Sequence, residues 1–317
     1  MLPADFRITL GCMCVPVVVT NGCVCLLVYM YRSLRSYTNG IVVSLAVSDI
    51  LTGAVLLPLQ ITVPEFEEVS GYIVCIIMLT GVANVVAVTL DRYLAIKRPF
   101  DYLAVMQRHF IKLIVSSWAI PIAIAIIPLS FNPPQNKLAY TIYLSLLQLL
   151  CVIVPYVFVF VAYCRIFHRA RTIVNRLRRE SSISWHKDEK RTGRKNDTAS
   201  EAKVAKMFSV IAVSFILSWM PVIYLTSVLA AVGKLDTVLL DQLSPSWLRE
   251  LSLVTIALGS MVNPIIYCFF KPDFRRILKR VLRRYAPKRK KSGSEKLNTT
   301  LIVEKLESGD GGPETDI

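Results

Sequence analysis

Apolar residues along this chain fall into seven long runs, at about 8–31, 40–63, 69–96, 109–130, 138–164, 204–232 and 248–270. As a helix rising about 1.5 Å per residue, each run is long enough to cross roughly 30 Å of hydrocarbon, so the pattern predicts seven membrane-spanning helices. Pro16, Pro58, Pro121, Pro128, Pro155, Pro221 and Pro264 lie within or near the ends of the runs. They would break soluble helices, but neighbours in a membrane bundle can satisfy the backbone groups they free. Residues 1–7 lack a basic segment ahead of the first run, and no cleavable signal is expected. The expected organisation is a seven-span domain over 1–270, with a charged third inner loop at about 170–201. A short amphipathic helix at 271–284 and a mobile Lys-, Ser-, Gly- and Glu-rich tail at 285–317 follow. No internal repeat is visible, and so no sign of the two-halves symmetry common in transporters.

Composition agrees with this reading. At 317 residues, 54% hydrophobic, 19% charged and mean hydropathy +0.52, the chain holds more apolar side chain than a soluble core accommodates. That excludes a disordered protein or a secreted disulfide framework. All eight cysteines sit inside apolar stretches with no CxxC pair or Cys/His cluster, and read as small buried hydrophobes, not metal ligands. The net charge of +15 is informative through its position. Counting between runs on alternating sides, with the amino terminus outside, the inner segments hold 33 of the 37 Lys and Arg. The outer side holds only Arg7, Lys137, Lys234 and Arg249. The charge is the positive-inside signature of a multi-pass protein with a cytoplasmic carboxyl terminus, plus an attraction to acidic membrane lipids, and nucleic acid is not an expected partner. The N-x-[ST] matches at Asn196 and Asn298 fall on the cytoplasmic side and should stay unglycosylated.

Polar residues inside the runs are few. Asp49 is an ionisable group at mid-membrane, where a lone charge costs at least ~2.5 kcal/mol, so it needs partners such as Asn21, Asn263 and Ser260. Asp91-Arg92-Tyr93 closes the third run, with Pro99-Phe100-Asp101-Tyr102 following. Leu45-Ala46-Val47-Ser48-Asp49 lies in the second run, Trp118 in the fourth, Pro155 and Tyr163 in the fifth, Phe215 and Ser218-Trp219-Met220-Pro221 in the sixth, and Asn263-Pro264-Ile265-Ile266-Tyr267 in the seventh. Taken jointly, these motifs make the chain resemble the rhodopsin-like (class A) G-protein-coupled receptors from its first apolar run to Phe274.

The resemblance implies an all-α seven-helix bundle at the plasma membrane. Such a receptor has no catalytic activity of its own, binds ligand from outside and activates a heterotrimeric G protein inside. It assigns Asp91, Arg92 and Tyr93 to coupling, with Glu201 of the sixth helix closing on Arg92 at rest and Tyr163 and Tyr267 swinging in on activation. Glu201 stands twenty residues before Pro221, ~30 Å down the same helix and at the depth of Arg92. Trp219 over Phe215, Pro155 and Val82 resembles the family's packing switch, although a Trp and a Phe four residues apart are also ordinary core. Phe100 is expected to enter a pocket on the G-protein α subunit. The Asp49 cluster is either a structural polar knot or, as often in the family, a sodium site. Against sodium, the third- and seventh-helix positions that usually add oxygens are Gly81 and Gly259.

The chain also departs from the pattern. The family's usual disulfide would need a cysteine at Glu67 and another in the second outer loop, and both are missing. The outer loops and amino terminus are short. The pocket positions expected on the third helix are Val74, Cys75 and Met78. An amine receptor would carry Asp at Val74, and the opsin lysine position holds Ala257. With Leu147, Gln148, Cys151, Trp219, Val222, Tyr224, Leu225 and Leu253, these residues describe an apolar pocket with few polar tips, suited to a lipid-like or small neutral ligand. The missing disulfide and short loops are similar to the melanocortin, lysophospholipid and cannabinoid branch, and Glu65, Glu67 and Glu68 form an acidic outer rim.

Arg178-Arg179-Glu180-Ser181 matches a basophilic-kinase pattern, and phosphate at Ser181 would weaken G-protein contact or recruit an arrestin. Thr315 and Ile317 give the carboxyl terminus the form of a PDZ-domain ligand. Two other functions compete: a channel or transporter, disfavoured by so few ionisable residues in the runs, and a receptor-like protein that signals constitutively or scaffolds partners.

Overall fold

A computed structural model describes residues 3–62, 67–130, 137–183, 189–232 and 237–285. Among the described residues, seven helices are long and apolar enough to cross a membrane: Ala4–Met30, Tyr37–Thr62, Ser70–Lys97, Tyr102–Ser130, Leu138–Arg169, Met207–Leu229 and Ser246–Phe270. They are termed the first to seventh spans, and each coincides with one of the apolar runs. A short helix at Thr237–Leu243 precedes the seventh span, and another at Pro272–Tyr285 follows it. No strand occurs among the described residues. Two compact units are present, Met1–Arg275 and Arg276–Ile317, and only Arg276–Tyr285 of the second is described.

The prolines shape the spans locally. Proline lacks the N–H that would bond to the carbonyl four residues back, and its ring crowds that carbonyl. The second and fifth spans respond by widening at Thr52–Leu56 and Leu147–Ile153, segments that contain the carbonyls of Ala54 and Cys151 that Pro58 and Pro155 cannot bond. Pro121, Pro221 and Pro264 are carried inside their helices.

The third span is central, packing against the second, fourth, fifth and sixth, and the first and seventh close the ring. With lipid rather than water outside, association depends on close packing and buried polar ties. Trp118 Nε1 donates to Ser44 Oγ at 2.9 Å, tying the fourth span to the second. Thr255 Oγ1 donates to the Ser218 carbonyl at 2.9 Å, tying the seventh to the sixth. At the end remote from Arg92, Leu10, Val17, Leu57 and Ala257 form an apolar cluster from the first, second and seventh spans.

One expectation is corrected. The cysteines are all free, as a chain without a framework requires, but none is fully buried, and Cys12, Cys23 and Cys164 are exposed. A lipid-facing surface is as apolar as a core, so an apolar neighbourhood in sequence does not by itself imply burial. Within the expected inner loop at about 170–201, the described residues are helical. One helix continues to Ile183 and the next starts at Glu189, leaving 184–188 outside the described residues. Arg, Lys, Glu and Ala are strong helix formers, and a polar helix needs no apolar run to persist.

Candidate functional site at the Arg92 end of the bundle

Arg92 is charged yet only 5% exposed, and Asp91 is fully buried beside it. The arginine donates to Asp91 Oδ2 through Nε at 2.8 Å and Nη2 at 2.5 Å, and through Nη2 also contacts Thr38 Oγ1. Thr38, in the second span, donates to the same Oδ2 at 2.9 Å. Tyr102, which opens the fourth span, donates to the other oxygen, Oδ1, at 2.6 Å. A buried carboxylate is tolerable only when its lone pairs are occupied, and here an arginine, a threonine and a tyrosine occupy them. The first residue of this motif thus joins the second, third and fourth spans.

The guanidinium also lies 5.4 Å from the centre of the Phe208 ring, near the start of the sixth span. Phe208 is 6.3 Å from the Tyr267 ring, and Tyr267 is 6.4 Å from Phe274. Lys271, 5% exposed at the end of the seventh span, donates to Asn39 Oδ1 and holds its ammonium 5.7 Å from both the Phe208 and Phe274 rings. Two cations therefore converge on one ring of the sixth span. Glu201, the expected partner of Arg92, lies on the helix Glu189–Val232, but its side chain is outside the described residues. Tyr163 and Tyr267 are buried, and neither hydroxyl has a hydrogen-bond partner among the described residues. Tyr93 is half-buried, and Phe100 stands 88% exposed between the third and fourth spans.

At mid-bundle Asn263 Nδ2 donates to Asp49 Oδ2 at 2.8 Å, and Asn21 Nδ2 donates to the Ser260 carbonyl at 3.0 Å. The polar group therefore links the first, second and seventh spans, with Pro264 one residue on. The Oδ1 atoms of Asn21 and Asn263 are buried without a partner among the described residues, and both are hard oxygen donors. Gly81 and Gly259 add no oxygen, and the space beside them is taken. A Cβ at Gly81 would lie 2.8 Å from the Phe215 ring, and one at Gly259 would lie 2.5 Å from Ser218. The two hydrogen bonds tie the seventh span to the second and the first.

The lack of a side chain at Gly81 lets Phe215 reach the third span. Phe215 and Trp219 are both buried, with ring centres 6.0 Å apart and planes tilted 38°; Val82 is buried and Pro155 half-buried. Of the pocket candidates, Met78, Leu147, Trp219 and Val222 are buried, and Val74, Cys75, Cys151 and Leu225 half-buried. Gln148 is already engaged: its Nε2 donates to the Ile223 carbonyl and Ser227 Oγ, both at 2.8 Å, and its Oε1 accepts from Thr226 at 3.2 Å. That side chain joins the fifth span to the sixth. Tyr224 is 46% exposed and Leu253 packs against the Leu10–Val17–Leu57–Ala257 cluster, so neither is enclosed with the others. Ser181 lies on a described helix but its side chain does not, and Glu65, Thr315 and Ile317 lie wholly outside the described residues.

Sequence reasoning missed Thr38, Tyr102, Phe208, Asn39 and Lys271. Tyr102 stands two residues past the exposed Phe100, in the Pro99–Tyr102 motif, and Lys271 follows directly on the seventh apolar run. The spacing of either to Asp91 or Phe208 is not a local property of the chain.

Seven membrane helices with a buried Asp–Arg pair at one end of the third define a multi-pass membrane protein of receptor architecture. The model of the 7 transmembrane receptor (rhodopsin family) matches residues 20–267, and the chain belongs to this family, whose members are receptors and not enzymes. The chain is 26% identical to the human adenosine receptor A2a, over 83% of this chain and 68% of that receptor. It is 27% identical to a D(5)-like dopamine receptor of Takifugu rubripes, over 87% and 67%. With mouse neuropeptide FF receptor 2 the identity is 24%, over 81% and 67%.

Proposed function

We propose that this receptor lies in the plasma membrane with its amino terminus outside, takes a small apolar or neutral ligand within the helical bundle, and activates heterotrimeric G proteins. The observation that carries this reading is Arg92, a buried cation held by Asp91 and Thr38 and packed on Phe208 of the sixth span. Movement of the sixth span would withdraw Phe208 and uncover the guanidinium. A buried hydroxyl without a partner costs about 1–3 kcal/mol, so Tyr163 and Tyr267 favour an arrangement that gives them one. Phe100 offers an exposed apolar contact at the same end. The helix Pro272–Tyr285, rich in Arg and Lys, suits the membrane interface as an eighth helix. Arrestin and a PDZ-domain protein are further proposed partners, through Ser181 and the Thr315–Ile317 tail.

Relatives named for adenosine, dopamine and a neuropeptide leave the ligand class open among small molecules and peptides. Val74 offers no carboxylate to an ammonium, which counts against an amine. Gln148, committed to the sixth span, leaves the neighbourhood of Cys75, Cys151 and Val222 more apolar than its sequence suggests, which favours a lipid-like or neutral ligand. A nucleotide-exchange panel across the main G-protein classes, with and without lipid, nucleoside and peptide libraries, tests the reading. Exchange above untransfected membranes that disappears in Arg92→Ala is the expected result, and no exchange on any class would overturn it.

A further inference from the structure

The seventh span ends at Phe270, and Pro272 disfavours helical backbone in the residue before it, so Lys271 stands extended at φ −82° and ψ 118° between two helices. Its backbone is held from both sides. The Lys271 N–H donates to the Tyr267 carbonyl at 3.1 Å, and its carbonyl accepts from the Arg275 N–H at 3.0 Å. A lysine at the end of a membrane helix ordinarily carries its ammonium out to water along a flexible stem. Lys271 does the reverse and is 5% exposed. We propose that Lys271 is a positioning residue of the resting bundle, a second cationic clamp beside Arg92 that holds the sixth span closed through the Phe208 ring. Its bearing on signalling rests on the reading that coupling requires the sixth span to move.

The clamp is anchored away from the span it holds. Asn39 Oδ1 accepts from the Lys271 ammonium while Asn39 Nδ2 donates to the Leu34 carbonyl at 2.5 Å, so both ends of this buried amide are used. The ammonium is thereby tied to the second span and to the turn at Arg32–Leu34 before it. The rings of Phe208 and Phe274, both fully buried, have their centres 5.7 Å away. A cation against an aromatic ring gains more where water is excluded, as it is here. Of these three partners only Phe208 belongs to the sixth span. Withdrawal of that span removes one contact and leaves Asn39 and Phe274 in place, and a contact made in one position alone is what biases an equilibrium between two.

Phe208 has no hydrogen-bonding atom in its side chain. It meets the third span through the Arg92 guanidinium at 5.4 Å, and the seventh through the Tyr267 ring at 6.3 Å and the ammonium that follows it. The two cations are anchored separately, Arg92 by Asp91 and Lys271 by Asn39. Removing the charge of Lys271 leaves the Arg92–Asp91 pair in place, which separates the clamp from the role of Arg92 in coupling.

The full-length receptor in nanodiscs tests this with two readings. Hydrogen–deuterium exchange of amides 207–213, at the Arg92 end of the sixth span, reports release of that span without any G protein, and basal nucleotide exchange reports coupling. Lys271→Met keeps the stem and removes the charge. Lys271→Gln also removes the charge but can still donate to Asn39, and takes its place if the methionine variant does not fold. Lys271→Arg keeps the charge, and Arg275→Gln removes an exposed one four residues on. Thermal unfolding confirms that each variant is folded.

Amide exchange should rise about fivefold in Lys271→Met, with basal nucleotide exchange rising by a similar factor. Lys271→Arg and Arg275→Gln should stay within about twofold of wild type. In a Phe208→Leu background, where the ring is already gone, adding Lys271→Met should change either reading by less than about twofold. Unchanged amide exchange in the folded, uncharged variant overturns the clamp, whatever the nucleotide exchange. An equal rise in Arg275→Gln overturns it too, as does the full effect persisting in Phe208→Leu. Faster amide exchange with no nucleotide exchange on any G protein upholds the clamp and sinks the coupling reading instead.

Discussion

Tyr102 donates to Asp91 Oδ1 at 2.6 Å while Arg92 holds Oδ2, so the two oxygens of one buried carboxylate are divided between the fourth span and the third. The tyrosine completes the shell around Asp91 and orients it toward the arginine. Removing the phenol leaves the ion pair but frees the carboxylate to rotate. If the bond belongs to the resting arrangement, Tyr102→Phe loses about 1 kcal/mol there, and basal nucleotide exchange should rise roughly fivefold. Exchange equal to wild type, normalised to surface receptor, means the bond persists in both states.

Asp91→Asn replaces the charge and leaves Arg92 with weaker neutral acceptors. Basal exchange should rise by about tenfold or more, since a differential of ~1.4 kcal/mol is enough. Glu201→Ala should act in the same direction if that side chain also holds Arg92. Arg92→Ala should abolish coupling. A lowered thermal midpoint with unchanged exchange in both acidic variants would mean that the cluster is structural only.

Gly81 is constrained by its neighbour. A methyl group there lies 2.8 Å from the Phe215 ring, so Gly81→Ala must push the ring off and disturb its packing on Trp219. Overpacking of this kind costs about 1–3 kcal/mol. Thermal unfolding in detergent should show the loss, and Gly81→Ala/Phe215→Leu should recover most of it. No recovery would place the strain somewhere other than the ring.

Gln148 joins the fifth and sixth spans through a carbonyl and two hydroxyls. Ser227 and Thr226 also bond to carbonyls of their own helix, so Gln148→Ala does not orphan them. The cost should be near ~0.6–2 kcal/mol, the range for interhelical hydrogen bonds in membranes. A drop of a few degrees in thermal midpoint checks this. Ligand affinity lost with no change in stability would return Gln148 to the pocket.

All eight cysteines are free. Signalling and surface expression should survive a mild non-permeant reductant, with dose–response curves superimposed before and after treatment.

The seven spans were legible in the sequence because a bilayer demands about twenty apolar residues in succession, a local property of the chain. The motif residues Asp49, Arg92, Trp219 and Asn263 were legible for a related reason: polar or bulky groups in such runs need company, and their spacing along each helix sets their depth. Which groups supply that company was not legible. Tyr102 and Thr38 reach Asp91 from other helices, and Lys271 meets Phe208 across more than sixty residues of chain. Gln148 was read as a pocket residue because its type is polar and its depth is right, yet only the distance between the fifth and sixth spans decides that Ile223 and Ser227 consume it. Likewise the exposed Cys12, Cys23 and Cys164 differ from buried ones solely in which face of a helix meets lipid. Where lipid and core are equally apolar, periodicity carries little contrast between inside and outside. The rotation of each helix, and with it every contact between helices, is decided by tertiary packing.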